Sequence, residues 1–348
     1  MFEHCILDKF KPFLSTDDNQ FGFKKGLGCS HAIYTVKRIV EQFAKGGNTT
    51  NLCSIDLSKA FDKVNHHALF IKLMKMHTPV CLLELLEFWL DINWSCIKWS
   101  NVYSSLFKIN FGFRQGSVLS PFLFAVYVND LVDSRHNGRH SFIILYADDI
   151  LILTSSITES QRLFRICEIE LIWLDMSINI IKSCCIRIGP RFDKSCCAIF
   201  TLDGSSLPWV NEIRYLGMYI VNARVFWCSF NQAKRGYYRA LNAIFGRIGR
   251  SASEEVVLQL VASKCLPILL YGSEACGPNK VDIHSLDFAV NRFLMKLFKT
   301  ANSGVIKDCV SYFEFKLPSV LIIERTRKFM TKYEMTDNLF CKLFSSRV

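Results

Sequence analysis

Two short apolar runs, FIILY at 142–146 and ILILT at 150–154, are separated only by Ala147, Asp148 and Asp149. Runs of this length and composition read as strands, and the turn formers between them read as the tip of a hairpin. Two adjacent carboxylates therefore sit at or beside a tight turn. Asp is common in turns because its side chain tolerates the backbone geometry, so a surface turn would account for the pair on its own. A second segment argues for more. LCSIDL (52–57) alternates and is rich in β-formers, which makes Asp56 the end of another apolar strand. Three carboxylates at strand ends can converge on one sheet edge, where they repel and rise in pKa unless a cation neutralises them. Oxygen-only ligands suit Mg²⁺, which takes one or two carboxylates and completes its shell with phosphates and water.

Composition narrows the partner. The formal charge is +11 and the isoelectric point is near 9.0, which favours a polyanion because Lys and Arg gain affinity by releasing condensed counterions. A basic protein with paired carboxylates points to phosphoryl transfer by two metal ions. The 348 residues suffice for roughly two to three packed units. Half of them are apolar and 13% are aromatic, far from a disordered profile. The fifteen cysteines show no C-x-x-C pair and no zinc-finger spacing. With no secretory leader in MFEHCILDKF, they read as reduced thiols of an intracellular protein. No uncharged apolar stretch reaches the roughly 18 to 20 residues needed to cross a bilayer, so no membrane partner is expected. The opening MFEHCILDKFKPFL is helical and apolar at once, as in the interior of a longer protein.

Along the chain, residues 2–43 read as mostly helical, interrupted by STDDNQ and FGFKKGLGCS. A helix is expected over 58–76, a second over 80–90, strand-like chain over 95–112 and a loop over 113–121. Ser120 as N-cap and Pro121 in the first turn start a helix running to 132. Another helix covers 158–176, the strand-like segments NIIKSCCIRIG and EIRYLGMYI follow, and a basic helical third begins near Asn222. His66 and His67 have no second ligand pair nearby and read as helix-surface or packing residues.

Five segments resemble, in order and spacing, palm motifs A to E of reverse transcriptases: SIDLSKAFDKVNH (54–66), GFRQGSVLSPFLFAVYVNDL (112–131), LYADDILIL (145–153), INIIKS (178–183) and YLGMYI (215–220). With QFGFKKG (20–26), LPILLYGSEA (266–275) and VNRFLMKLFKT (290–300), the chain resembles non-LTR retrotransposon (LINE-type) polymerases of the Jockey/CR1-like branch. The resemblance implies an α+β, right-hand polymerase fold: partial fingers over 1–51, a palm with an antiparallel sheet plus helices over 52–221, and a helical thumb and C-terminal region over 222–348. It implies an RNA-directed DNA polymerase that extends a DNA primer on an RNA template with dNTPs and two Mg²⁺ ions, Mn²⁺ being the alternative metal. Work in the cytoplasm and nucleus follows from the same resemblance.

Carried over by position, Asp56, Asp148 and the main-chain carbonyl of Leu57 are the metal ligands, and Asp149 is a third, less direct carboxylate. Phe61 matches the aromatic gate against a 2′-hydroxyl. Arg114, Gln115 and Gly116 match the loop beside the incoming nucleotide, and Lys182 the lysine that protonates pyrophosphate. Leu216 and Gly217 match the primer grip, and Lys234, Arg235 and Arg239 supply a cationic stripe for the duplex. The resemblance also places fingers motifs and an endonuclease upstream of this stretch, so the chain alone is expected to bind primed RNA and extend it poorly. Competing readings are an inactive relic that only binds RNA, a group II intron maturase-type polymerase, and a viral RNA polymerase. The last typically has Gly where Ala147 stands and lacks an aromatic at Phe61.

Overall fold

A computed structural model describes residues 2–114, 116–132, 141–248 and 252–345. The chain forms two compact units. One contains the chain up to Gly28 with Thr49–Arg187 and Lys194–Val210; the other contains Cys29–Asn48, Ile188–Asp193 and Asn211–Val348. This division differs from segments 1–51, 52–221 and 222–348, because residues 29–48 group with the C-terminal helices.

The first unit is built on a four-stranded sheet in the order Ser141–Tyr146, Asp149–Thr154, Thr50–Ile55, Cys184–Ile188. The hairpin exists as the sequence predicts, with antiparallel pairing from Ser141 opposite Thr154 to Tyr146 opposite Asp149. Thr50–Ile55 lies antiparallel on its other side, from Asn51 opposite Thr154 to Ile55 opposite Ile150. Alternate residues Cys53, Ile55, Ile143, Leu145, Ile150 and Ile152 enter one core with Leu69, Leu73, Leu123, Phe124, Leu163 and Phe164 from the flanking helices. Leu52, Ile144, Leu151 and Leu153, of opposite alternation, are also fully buried. That is why both hairpin strands are continuously apolar rather than alternating.

Cys53 and Cys185 are neighbours in this core, and hydrogen bonding between the two, with burial, pushes the Cys53 thiol up. Burial also pushes the Cys167 thiol up to about 12. All fifteen cysteines are free. Lys72, almost fully buried, donates to the Tyr127 carbonyl at 2.5 Å and lies 3.2 Å from Asp130.

Several expected elements begin elsewhere. The helix expected from 58 starts at His66, because Asn65 caps it by accepting from the His67 and Ala68 amides; Ala60–Lys63 is a separate 3₁₀ turn. The helix with Pro121 runs Ser120–Tyr127, so its cap is Leu119, one residue before the expected Ser120, and Asn129–Val132 is a separate 3₁₀ turn; the Ser117 hydroxyl accepts from the Leu119 and Ser120 amides. The 95–112 segment is a narrow ribbon of two-residue strands, with Trp94–Ser95 on Phe107–Lys108 and Lys98–Trp99 on Val102–Tyr103. Residues 178–183 form a turn before the strand Cys184–Ile188.

In the second unit, Glu212–Tyr215 and Met218–Val221 pair as a hairpin, and Cys228–Ser229 joins as a third strand. The helices therefore begin at Asn231, not near Asn222. The helix Cys29–Lys45 packs on Pro318–Glu334 through Tyr34 and Tyr333, whose rings lie 4.7 Å apart, and through a 2.8 Å hydrogen bond between the Thr35 and Tyr333 hydroxyls. No helix among the described residues is long and apolar enough to cross a membrane.

Gly112 shows how closely two motif segments approach. Its amide donates to the Val64 carbonyl at 2.8 Å, and a Cβ at this position (φ +76) would sit 2.7 Å from the Asp62 carbonyl oxygen. His66 donates from Nε2 to the Gly112 carbonyl at 2.8 Å, and burial holds its pKa below the usual imidazole value. Gly112→Ala should cost about 2–4 kcal/mol in denaturant titrations, against about 1 kcal/mol for Gly26→Ala, where φ is equally positive but nothing lies within 4 Å. Equal losses at the two positions would show that the close approach carries no cost.

Candidate active site

Asp56 follows directly on the strand Thr50–Ile55. Carrying the Ile55–Ile150 register one residue further sets Asp56 opposite Asp149, on strands about 4.8 Å apart. Asp148 shares a two-residue turn with Ala147, whose φ is +56. A β-carbon in the left-handed region is strained, and such strain persists only where neighbours impose it. Asp148 is exposed, while Asp56 and Asp149 are half-buried.

The imposing neighbour is the segment Asn19–Gly22. Phe21 donates to the Leu145 carbonyl at 2.8 Å and Leu145 to the Asn19 carbonyl at 2.9 Å, so this stretch runs along the strand leading into the turn. Between them the fully buried Gln20 side chain accepts from the Gly22 amide at 2.9 Å and the Ala147 amide at 3.2 Å. Gly22 is required here because a Cβ would lie 2.5 Å from the Ala147 nitrogen. Gln20 was legible only as part of a motif string; its contact with Ala147 spans a sequence separation that periodicity cannot reach.

Asp56 is fixed by its backbone. Its amide donates to the Ser183 hydroxyl at 3.0 Å, and its carbonyl accepts from the Asn179 amide at 2.8 Å. The buried Ser183 hydroxyl in turn donates to the Asn179 carbonyl at 2.8 Å. Ser183 is a positioning group that the sequence reading missed, although it ends the segment INIIKS. The same turn carries Lys182, whose ammonium lies 3.8 Å from the Asp56 carboxylate and is largely exposed.

Leu57 faces Ile178 in an antiparallel bridge closed by Ser58 to Ser177 and Asn179 to Asp56. In this pattern the Leu57 amide and carbonyl point away from residue 178. No described residue donates to the carbonyl, although Leu57 is buried. A main-chain carbonyl with no recorded donor, next to carboxylates, is a ligand set of the kind a hard divalent cation takes. Among the described residues no three His, Cys, Asp or Glu side chains form a metal cluster by themselves. The residues present fit a cation held by two carboxylates and a main-chain oxygen, with phosphate oxygens completing its shell.

Phe61 lies in the 3₁₀ turn, not on an α-helix. Its ring stacks on Phe124 at 4.3 Å and meets Phe23 edge-on at 6.4 Å. Its carbonyl accepts from Phe113, so the segment 112–114 runs beside it. Arg114 donates to the buried Asn93 side chain, and Gly116 is exposed at φ +86. Gln115 lies outside the described residues.

The remaining candidates belong to the other unit. Leu216 and Gly217, at φ +46 and +82, are the two-residue turn between Glu212–Tyr215 and Met218–Val221. Arg235 and Arg239, four residues apart on Asn231–Ile248, share an exposed face. Lys234 does not join them, since its ammonium donates to the Ser285 hydroxyl at 2.9 Å.

Gln20→Met keeps the side-chain length and removes the acceptor, leaving two buried amides unpaired. The expected loss is about 2–3 kcal/mol in chemical denaturation, with faster amide exchange over 145–149. A change below about 0.5 kcal/mol would show that Gln20 does not hold the turn.

Residues 2–220 match the sequence family described as reverse transcriptase (RNA-dependent DNA polymerase). Among curated relatives, the chain is 25% identical over 276 residues to the probable RNA-directed DNA polymerase from transposon BS of Drosophila melanogaster, covering 75% of this chain and 30% of that protein. It is 28% identical over 219 residues to the RNA-directed DNA polymerase from mobile element jockey of Drosophila funebris, covering 60% and 23%. It is 30% identical over 217 residues to the probable RNA-directed DNA polymerase from transposon X-element of D. melanogaster, covering 58% and 23%. The chain thus spans less than a third of the length of these relatives. A telomerase from Candida albicans, solved with a fragment of telomeric RNA, shares its fold at a TM-score of 0.50 and 10% identity, over 90% of this chain and 55% of that one. The likeness is one of fold, the right-hand polymerase fold. With the family match running over residues 2–220, well over half of the chain, the protein belongs to the reverse transcriptase family.

Proposed function

We propose that this chain carries the polymerising centre of an RNA-directed DNA polymerase that extends a DNA primer on an RNA template. The observation that carries the reading is the register that brings Asp56 beside the Ala147–Asp149 turn, with the unpaired Leu57 carbonyl next to it. Asp56, Asp148 and the Leu57 carbonyl would hold two Mg²⁺ ions, or Mn²⁺ in their place, with Asp149 less directly engaged. Bound there, the ions would lower the pKa of the primer 3′-hydroxyl and stabilise the departing pyrophosphate.

The chain's own groups do the rest. Asn179 and Ser183 hold the Asp56 backbone, and Gln20 holds the turn, so the acidic groups are set in place before substrate arrives. Lys182, on the same turn as Ser183 and 3.8 Å from Asp56, is the proton donor to pyrophosphate. Arg114, Gln115 and Gly116 border the incoming dNTP. Leu216 and Gly217 grip the primer end, and Arg235 and Arg239 meet the duplex backbone, with Lys234 serving as a helix-to-helix tie. Fingers, palm and thumb are assigned to 1–51, 52–221 and 222–348.

The deciding experiment is Mg²⁺-dependent dNTP incorporation on a primed RNA template. Asp148→Asn should abolish incorporation while leaving the metal-free fold intact or slightly more stable, because one of several mutually repelling anions is gone. Marked unfolding of this variant without metal would return Asp148 to a structural turn role. Binding of primed RNA with no metal-dependent incorporation by the parent chain would leave only an RNA-binding module.

Phe61 is held between Phe23 and Phe124, so its ring has little room to retreat. As a gate it would reject a 2′-hydroxyl by steric clash. Phe61→Val should raise the rNTP/dNTP ratio of kcat/KM at least roughly tenfold, with a stability loss of about 1–4 kcal/mol from the broken ring stack. An unchanged ratio beside a lowered melting temperature would make Phe61 a packing residue alone.

A further inference from the structure

The turn Leu216–Gly217 is met by a segment to which no role has been given, LLYGSEA at 269–275. The Tyr271 hydroxyl donates to the Leu216 carbonyl at 3.0 Å. The two segments also exchange glycines for side chains. A Cβ on Gly217 would lie 2.9 Å from Cε1 of the Tyr271 ring, and a Cβ on Gly272 would lie 2.7 Å from the Met218 sulfur. Each glycine makes room for the other segment's side chain, and each has positive φ, +82 at Gly217 and +69 at Gly272. A hairpin turn alone would account for Gly217, but not for a glycine at 272 facing it.

The loop that carries Tyr271 is itself anchored. Arg325, on the helix Pro318–Glu334, donates to the Leu270 carbonyl at 3.0 Å, and the buried Ser273 hydroxyl donates to the same carbonyl at 2.8 Å. Beside the hairpin tip lies a cavity of about 430 Å³ bordered by Gly217, Met218, Gln232, Ile268 and Tyr271 itself. The tip therefore borders open space, and Tyr271, in the wall of that cavity, is the group that holds it.

We infer that Tyr271 and Gly272 form a positioning lock that fixes the Leu216–Gly217 turn for the primer 3′ end. The inference rests on the reading of that turn as the primer grip. Tyr271 acts through the Leu216 carbonyl: with it pinned, the turn stays at one height above the sheet Glu212–Ser229, and the helical scaffold behind Arg325 determines that height. Without the hydroxyl, the turn would sway into the neighbouring cavity.

The test uses the full chain and two variants, Tyr271→Phe and Gly217→Val. Two quantities are measured: amide exchange over 214–219, and the ratio of affinities for an RNA–DNA duplex with a recessed primer 3′ end over a blunt duplex. Tyr271→Phe removes one neutral hydrogen bond and should speed exchange about fivefold at the turn alone and lower the ratio by a similar factor. Its melting temperature and its affinity for the blunt duplex should not move, which separates positioning from general stability. Unchanged exchange in Tyr271→Phe overturns the lock. Faster exchange with an unchanged ratio, where Gly217→Val does lose the ratio, overturns the positioning role and leaves the primer grip standing. If Gly217→Val keeps the full ratio, the primer-grip reading falls and this inference with it.

Discussion

The antiparallel register between Thr50–Ile55 and Asp149–Thr154 governs the first unit. Because side chains alternate along a strand, a slip of one residue would turn Cys53 and Ile55 out of their core and carry Asp56 away from the Ala147–Asp149 turn. The register is over-determined. Ile143, Leu145, Ile150 and Ile152 occupy one face, the opposite face is equally apolar, and Asn19–Phe21 adds hydrogen bonds along Leu145. The apolar burial that makes the sheet stable is therefore the same burial that aligns the acidic groups.

A second constraint acts across that alignment. The site places a positive φ at a residue with a β-carbon, Ala147, and carboxylates near one another, both of which oppose folding. Gln20, Asn179 and Ser183 offset this through backbone hydrogen bonds rather than opposite charges, and Lys182 is the one cation recorded against Asp56 among the described residues. Hydrogen bonds that grip the Asp56 backbone rather than its carboxylate position that charge without consuming its oxygens.

Much of this was legible in the sequence, and the illegible part has a pattern. Two β-runs around Ala-Asp-Asp are local signals, so the hairpin and the position of Asp56 at a strand end follow from composition and spacing. The helix after Asp56 was misplaced because Ala60–Lys63 and His66–Lys75 together mimic one amphipathic helix. Only the Asn65 side chain, turned back onto the His67 and Ala68 amides, ends one element and starts the next. The strand Cys228–Ser229 is too short for any periodicity to reveal. Gln20, Ser183 and the pairing of Tyr34 with Tyr333 depend on contacts between distant residues, which a single sequence does not encode locally. Lys234 looked interchangeable with Arg235 and Arg239 in the sequence, and one helical step of about 100° separates their destinations.

The cysteines carry a consequence for how this protein meets oxidants. Thiol chemistry requires the thiolate and access to it, and Cys53, Cys167 and Cys185 are sealed within the sheet and its covering helix, with Cys53 and Cys167 held in the protonated form. Cys5, Cys81, Cys96 and Cys197 are exposed. Peroxide or an alkylating reagent will therefore mark the surface first, and modification of the interior set will record each time the four-stranded sheet has come apart. The edge that carries Asp56 and Asp149 and this chemical clock share one structure, so loss of the acidic edge and labelling of the interior thiols should follow a single time course.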